Sequence, residues 1–382
     1  MPTVMVSCGE ASGDLYAGAL ATELQRLAPG TRVFGLGGPR LAESGAELVG
    51  DYRGLAVTGL TEALRVLPRS FGMLRRLRAR LLSDRPDVLV AVDFPDFNFG
   101  LAQSARKLEI PVVYYISPQL WAWRPGRIRT MKAFATKVLV IFPFEQQIYE
   151  RAGIPVEFVG HPLIDLIHVT TDRSDLLTSH GLDPEAPTVA LLPGSRPNEV
   201  RAILPTLAAA APLIRAHVPK AQFVIARAPN LASSLFASLT TPGGIAVVEE
   251  RADDVLNASD VAVTASGTAT VQAALHLRPM VIVYRLSPLT YRLGRRFVKL
   301  DTFGMVNLVS GRRIVPELMQ DGFTPERVDE EVRSLLTDRA RADTMRRDLR
   351  DMRSRLGDAG ASCRAAAAVL AVARSADRRM GA

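Results

Sequence analysis

The stretch VTASGTATVQAAL (263–275) runs apolar to Ala265, breaks at Ser266-Gly267-Thr268 and resumes as a run of good helix formers. A strand, a short turn and a helix in that order leave backbone N–H groups at the helix start without intrahelical partners, which is a natural seat for an anion. LLPGSRPNEV (191–200) repeats the logic: strand, then Pro-Gly-Ser195-Arg196, then a helix with Glu199 in its first turn. A guanidinium projecting from such a loop suits a diphosphate, to which it donates as a fork. The plainer alternative is a surface ion pair with Glu199, worth little. Two anion-suited loops in one half of the chain point to a diphosphate carried by a nucleotide.

Carboxylates gather in the other half. AVDFPDFNFG (91–100) sets Asp93 and Asp96 at the end of a strongly apolar strand, and Pro95 stops strand pairing so that Asp96 stands at the rim. An acid there can serve as a general base, or both carboxylates can cap the next helix or pair with arginines. In CGEASGDLYAGAL (8–20), Gly9 and Gly13 allow a tight turn before a helix that begins near Asp14. It is neither the P-loop GxxxxGKS/T nor the dinucleotide GxGxxG. It reads as a substrate loop with Glu10, Ser12 and Asp14 facing the site, or as an ordinary turn with Asp14 capping the helix. Spacing alone does not choose.

These residues need a scaffold, and the chain supplies one. Short apolar, β-branched runs alternate with helical patterns, which predicts a parallel α/β architecture. Strands are expected at 3–9, 33–38, 87–94, 111–117, 137–143 and 156–162, then at 188–195, 223–229, 245–250, 260–266 and 280–285. Their near-continuous hydrophobicity marks strands covered on both faces. A boundary near HPLID (161–165) divides two doubly wound domains, 1–163 and 164–340. Ligands bind such sheets at the carboxyl ends of strands, where Gly, Ser and Asp concentrate here. The tail from about 326 reads as helical, and the helices of 341–382 are expected to pack back on the first domain or on a second subunit.

A third feature is basic and amphipathic. In TEALRVLPRSFGMLRRLRARLL (61–82), Leu64, Leu67, Phe71, Leu74, Leu77 and Leu81 fall at helical spacing among six arginines, with Pro68 expected to interrupt or kink the helix. YRLGRRFVKL (291–300) is similar. Such stretches fit an anionic membrane surface as well as a core-packed helix with a solvated basic face. Neither interleaves aromatics with the charge as single-strand nucleic-acid sites do, so no nucleic-acid partner is expected.

The totals set the limits. The 382 residues carry a net charge of +8, with 48% hydrophobic and 23% charged residues, a globular composition long enough for two domains. The charge suits a polyanionic partner, whether nucleic acid, membrane or phosphorylated substrate. No apolar run approaches the ~18 residues of a spanning helix, and MPTVMVSCGE lacks a basic signal-peptide region. Cys8 and Cys363, the only cysteines, lie far apart in sequence, which fits a reducing cytoplasm. The five histidines show no ligand spacing, so no metal site is expected.

GEASGD (9–14), FPDFN (94–98), SPQLWAWRPGRI (117–128), FPFE (142–145), FVGHPL (158–163), LLPGSR (191–196), SGTAT (266–270) and MVNLVSGRRIVPELMQ (305–320) together resemble the lipid-A-disaccharide synthase family, in the family's order. The resemblance implies a GT-B glycosyltransferase fold, two Rossmann-like domains facing across a cleft. The N-terminal domain would take the acceptor and face the membrane, and the C-terminal domain would bind the UDP-sugar. It implies an inverting, metal-independent transfer of 2,3-diacylglucosamine from its UDP donor to 2,3-diacylglucosamine 1-phosphate, with no cofactor.

By the same resemblance Asp96 would be the base and Arg196 would neutralise the leaving diphosphate. Ser195, Ser266, Gly267 and Thr268 would hold that diphosphate, Glu10 and Ser12 would belong to the substrate loop, and Asn307 to the active site. The enzyme would be cytoplasmic and peripheral on the inner face of the membrane, with exchange of C-terminal helices as a route to a homodimer. One departure stands out: Gln272 occupies a position where the family usually has a ribose-binding glutamate, a loss of charge assistance worth ~1 kcal/mol. The alternatives are another GT-B enzyme acting on a UDP-sugar in cell-envelope synthesis, a nicotinamide-dependent dehydrogenase, which the missing GxGxxG disfavours, and a non-catalytic binding protein.

Overall fold

A computed structural model describes the backbone except at residues 56–59, 119, 121–125, 230, 238–243, 286–301, 303 and 381–382, and the side chains except at those positions and at 60–66 and 376–380. The chain divides into two compact units, Met1–Asp165 with Leu356–Ala382, and Leu166–Arg355.

The first unit is built on seven strands: β1 (Thr3–Ser7), β2 (Arg32–Gly37), β3 (Glu47–Asp51), β4 (Val88–Val92), β5 (Val112–Tyr115), β6 (Lys137–Val140) and β7 (Val156–Phe158). All pair in parallel, in the order β3-β2-β1-β4-β5-β6-β7. The order reverses between β1 and β4. Helices α1 (Ala11–Leu27), α2 (Pro39–Glu43), α3 (Leu60–Asp84), α4 (Pro95–Lys107) and α5 (Arg127–Phe134) connect most of them. Val88–Val92 is wholly buried, as its unbroken apolar run requires for a strand covered on both faces. Fully burying one such side chain is worth about 1.5–3 kcal/mol.

The second unit repeats the plan with β8 (Thr188–Leu192), β9 (Gln222–Arg227), β10 (Ala246–Glu249), β11 (Val261–Ala265), β12 (Met280–Tyr284) and β13 (Glu317–Met319). They run parallel in the order β10-β9-β8-β11-β12-β13, with the reversal between β8 and β11. Its helices include α6 (Pro197–His217), α7 (Ala252–Ala258), α8 (Thr268–Leu275), α9 (Met305–Ser310), α10 (Pro325–Thr337) and α11 (Arg339–Ser354). Each unit is therefore a doubly wound sheet with one topological switch point, where such folds bind ligands.

Two expectations are modified. Helix α3 runs through Pro68 without interruption. Its leucines divide: Leu77 and Leu81 enter the core, whereas Leu67, Phe71 and Leu82 are exposed at 44%, 66% and 62%. The tail also divides, since α11 packs on α8, α9 and α10 inside the second unit, and the chain rejoins the first unit only from Leu356. There α12 (Ala361–Met380) packs on α1, β4 and β5 and buries Ala365, Ala366, Val369 and Leu370, so this apolar face is used within its own unit. Among the described residues, no helix is long and apolar enough to cross a membrane. The second basic stretch, 291–300, lies outside the described residues, as do 119 and 121–125 of SPQLWAWRPGRI.

Candidate active site

At the switch point of the first unit, β1 ends at Ser7 and Glu10 stands in extended conformation as the residue before α1. Ser12 follows in the first turn of α1, half-buried like Glu10. Gly9 is required by its neighbour, because a Cβ there would lie 2.2 Å from the Phe94 ring. That contact is why GEASGD and FPDFN come as a pair. Asp14 is spoken for: Oδ1 accepts the N–H groups of Gly38 (2.6 Å) and Leu41 (3.2 Å), and Oδ2 that of Arg40 (3.0 Å). Buried at 2% exposure, it caps α2 rather than its own helix, which removes it from the candidates for a base.

On the neighbouring strand, β4 gives way to Asp93 and Phe94, both left-handed at φ 44° and 49°. This conformation costs an L-residue about 1–2 kcal/mol. Helix α4 starts at Pro95, which suits a first helical position, and Asp96 follows in the first turn. Its side chain is 72% exposed and Oδ1 accepts from Arg127 Nη1 at 2.6 Å. The Arg127 guanidinium also lies over the Phe99 ring, 5.6 Å from its centroid. Pairing with an arginine was one of the two readings open for this carboxylate. It leaves Asp96 at the carboxyl rim with its rotamer held, beside Glu10 and Ser12 on the adjacent strand end. Arg127, four residues beyond the second tryptophan of its motif, was not singled out from the sequence.

In the second unit, Ser195 and Arg196 lead from β8 into α6, with Arg196 extended at the position before the helix. Gly194 has φ 118°, and a Cβ there would meet Glu199 at 2.6 Å. Glu199 lies across this turn: Oε1 is 3.2 Å from Arg196 Nη1 and Oε2 accepts the Ser195 N–H at 3.3 Å. The guanidinium–Glu199 pair thus exists, and it occupies groups that an incoming anion would use. One strand over, β11 ends at Ala265 and Gly267 takes φ 150° before α8. A Cβ at Gly267 would meet nothing within 4 Å, Gly267 and Thr268 are exposed, and the first turn of α8 has no acidic residue. An uncovered helix start of this kind attracts negative charge. Ser195, Arg196, Ser266, Gly267 and Thr268 therefore flank one switch point, as Glu10, Ser12 and Asp96 flank the other.

Gln272 lies one turn further along α8 and donates from Nε2 to Asp253 Oδ1 at 2.7 Å. His276 Nε2 stands 2.8 Å from the same oxygen, and the His168 N–H donates to Oδ2 at 3.2 Å. Burial pushes the Asp253 carboxyl up, but the bonds from His276, Gln272 and His168 outweigh it and hold it below the usual carboxylate range. A glutamate at 272 would set two carboxylates against each other, which disfavours their joint ionisation. Gln272→Glu is expected to lower the melting temperature at pH 7.5 by roughly 2–4 °C, and Asp253→Asn added to it to restore the loss. A single variant that melts with the parent would refute the coupling.

Asn307 is held by bonds within its own unit. It is buried at 1% exposure on α9, with Nδ2 donating to the Val315 carbonyl (2.9 Å) and to Glu317 Oε1 (2.6 Å), while Oδ1 accepts from the N–H groups of Ile314 (2.7 Å) and Val315 (3.0 Å). Two donors and two lone pairs are all a side-chain amide has. Asn307 therefore shapes the approach to β13 with all four of its hydrogen-bonding positions engaged.

Residues 4–372 match the protein family described as lipid-A-disaccharide synthetase. The chain is 42% identical over 372 residues to the lipid-A-disaccharide synthase of Geobacter sulfurreducens, covering 96% of each chain. It is 43% identical over 371 residues to that of Myxococcus xanthus, covering 97% of each. Among solved structures, UDP-GlcNAc 2-epimerase from Neisseria meningitidis bound to UDP-GlcNAc superposes with a TM-score of 0.70 at 14% identity, covering 97% of this chain and 100% of that one. The glycotransferase of kitacinnamycin gives 0.64 at 20% identity, covering 97% and 99%. The fold is thus the two-sheet GT-B architecture, and the extent and identity of the sequence match show that the chain belongs to the lipid-A-disaccharide synthase family of glycosyltransferases.

Proposed function

We propose that this chain moves 2,3-diacylglucosamine from UDP-2,3-diacylglucosamine to the 6-hydroxyl of 2,3-diacylglucosamine 1-phosphate, with inversion at the anomeric carbon. Asp96 takes the proton of the 6-hydroxyl as its oxygen attacks C1 of the donor sugar. The bond from C1 to the diphosphate breaks on the opposite face, and UDP leaves with the electron pair. The β-phosphate charge that grows in this step is met by Arg196, turned from Glu199 to the diphosphate, and by the amides at the Gly267-Thr268 start of α8, the kind of electrostatic stabilisation that lowers such barriers most. The observation that carries this reading is the meeting of both anion-suited loops at one switch point, on adjacent strands β8 and β11.

UDP release from purified, EDTA-treated protein tests it. Release that requires 2,3-diacylglucosamine 1-phosphate and survives the chelator is the expected result. Release without the acceptor, or none under any metal condition, would remove the reading.

Both substrates are acylated, and the exposed Leu67 and Phe71 of α3 sit among exposed Arg69, Arg75, Arg76 and Arg78. This surface supports a peripheral position on an anionic membrane face, since apolar insertion and basic charge add in binding. Sedimentation with vesicles containing phosphatidylglycerol is expected to fall several-fold in a Leu67→Ser, Phe71→Ser double variant, with melting temperature preserved. Unchanged sedimentation would place the contact elsewhere.

A further inference from the structure

The turn that presents Asp96 is held by groups with no other evident task. Two consecutive non-glycine residues in the left-handed region, Asp93 and Phe94, are rare outside places where the surroundings enforce them. Here Asn98, fully buried, reaches back from α4. Its Nδ2 donates to the carbonyls of Asp93 (2.9 Å), Ser7 (3.0 Å) and Val92 (3.3 Å), and its Oδ1 accepts from Ser7 Oγ at 2.6 Å. Only one orientation of the amide fits, since the reverse would set its oxygen against three carbonyl oxygens. Tyr114, buried on β5, donates its hydroxyl to the same Asp93 carbonyl at 2.6 Å. The Phe94 ring stacks on Phe97 at 5.4 Å and lies where a Cβ on Gly9 would be. The turn is thus tied to β1, β4 and β5 at once, and Asp96 is two residues beyond it.

We propose that Asn98 and Tyr114 are positioning residues for the transfer reaction: by enforcing the left-handed Asp93-Phe94 turn they set where the Asp96 carboxylate stands against the acceptor hydroxyl. This rests on the reading of Asp96 as the base. General-base catalysis depends on a heavy-atom approach of about 2.6–3.2 Å, and displacements of the order of 1 Å cost up to about 10²-fold. Donor binding belongs to the second unit and is untouched by the turn.

Asn98→Ala removes at once a buried amide that bonds three carbonyls and the Ser7 hydroxyl, a loss that threatens the fold of the unit, so the test uses Tyr114→Phe, which keeps the ring, and Ser7→Ala, which keeps the strand. Each is expected to lower kcat by about tenfold, within the range above, with the UDP dissociation constant near that of the parent and the melting temperature lower by only about 2–6 °C, since each removes one buried hydrogen bond. The deciding measurement repeats both changes in an Asp96→Asn chain by single-turnover assay. If the residues act through Asp96, they cost nothing further there, whereas a merely structural role subtracts the same factor again. Parent-like kcat in both variants, or losses that multiply with Asp96→Asn, would overturn the proposal. Parent-like turnover of Asp96→Asn by itself would overturn the base reading and the positioning role with it, a result visible before either second change is made.

Discussion

Asp96→Asn is expected to lower kcat by roughly 10²–10⁴-fold, the range of a positioned general base, while the UDP dissociation constant stays within twofold of the parent. Asparagine is nearly isosteric and its oxygen can still accept from Arg127 Nη1, so the 2.6 Å contact and the start of α4 survive. What is lost is the ability to take a proton. The side chain is 72% exposed, and an exposed ion pair contributes about 0–1 kcal/mol, so melting should not move measurably. Arg127→Gln separates the arginine from the acid. It removes the Arg127 contact but leaves the carboxylate, and it is expected to cost far less in kcat than Asp96→Asn. Near-normal turnover of Asp96→Asn would end the assignment, since Asp14 is committed to capping α2 and Glu10 would be next to test.

How far the site could be read in advance depended on how far its partners lie along the chain. Every strand expected from an apolar run forms, most of them because a strand covered on both faces announces itself by composition, and the edge strand β7, which has no buried residue, because of the apolar VEFVG run it begins. The two that were not expected, β3 and β13, are the last strands at one edge of each sheet. Glu47–Asp51 has no buried residue and Glu317–Met319 only one, so neither carries an apolar run to see. The turn residues were legible for a similar reason, since Gly, Pro and Ser at strand ends are local signals.

Their partners were not legible. Asp14 finds its donors 24 to 27 residues on, Gln272 meets a carboxylate 19 residues back, and Tyr114 reaches the Asp93 carbonyl from the neighbouring strand, 21 residues on. Such pairs follow from strand order, which periodicity does not supply. The bonds of Asn307 were hidden for a different reason: its partners are within ten residues, but a motif asparagine looks the same whether its amide faces a ligand or its own backbone.

Arg196→Ala is expected to lower kcat/KM by about 10²–10³-fold, the cost of removing one preorganised donor from a developing oxyanion. Part of that loss belongs to Glu199. With the guanidinium gone, a carboxylate whose oxygens lie 3.2 Å from Arg196 and 3.3 Å from the Ser195 amide would face the donor diphosphate uncompensated and repel it. Glu199→Gln added to Arg196→Ala should therefore recover part of the activity, although it creates no new donor of comparable strength. Arg196→Lys keeps the charge but loses the fork that meets two phosphate oxygens at once, so it should fall between parent and alanine. Measured together, the variants divide the arginine's contribution into charge, geometry and the masking of Glu199. If Arg196→Ala kept kcat/KM within a few-fold of the parent, the leaving group would have to be stabilised by the start of α8 alone. If the lysine variant matched the parent, charge would suffice and the fork would be incidental.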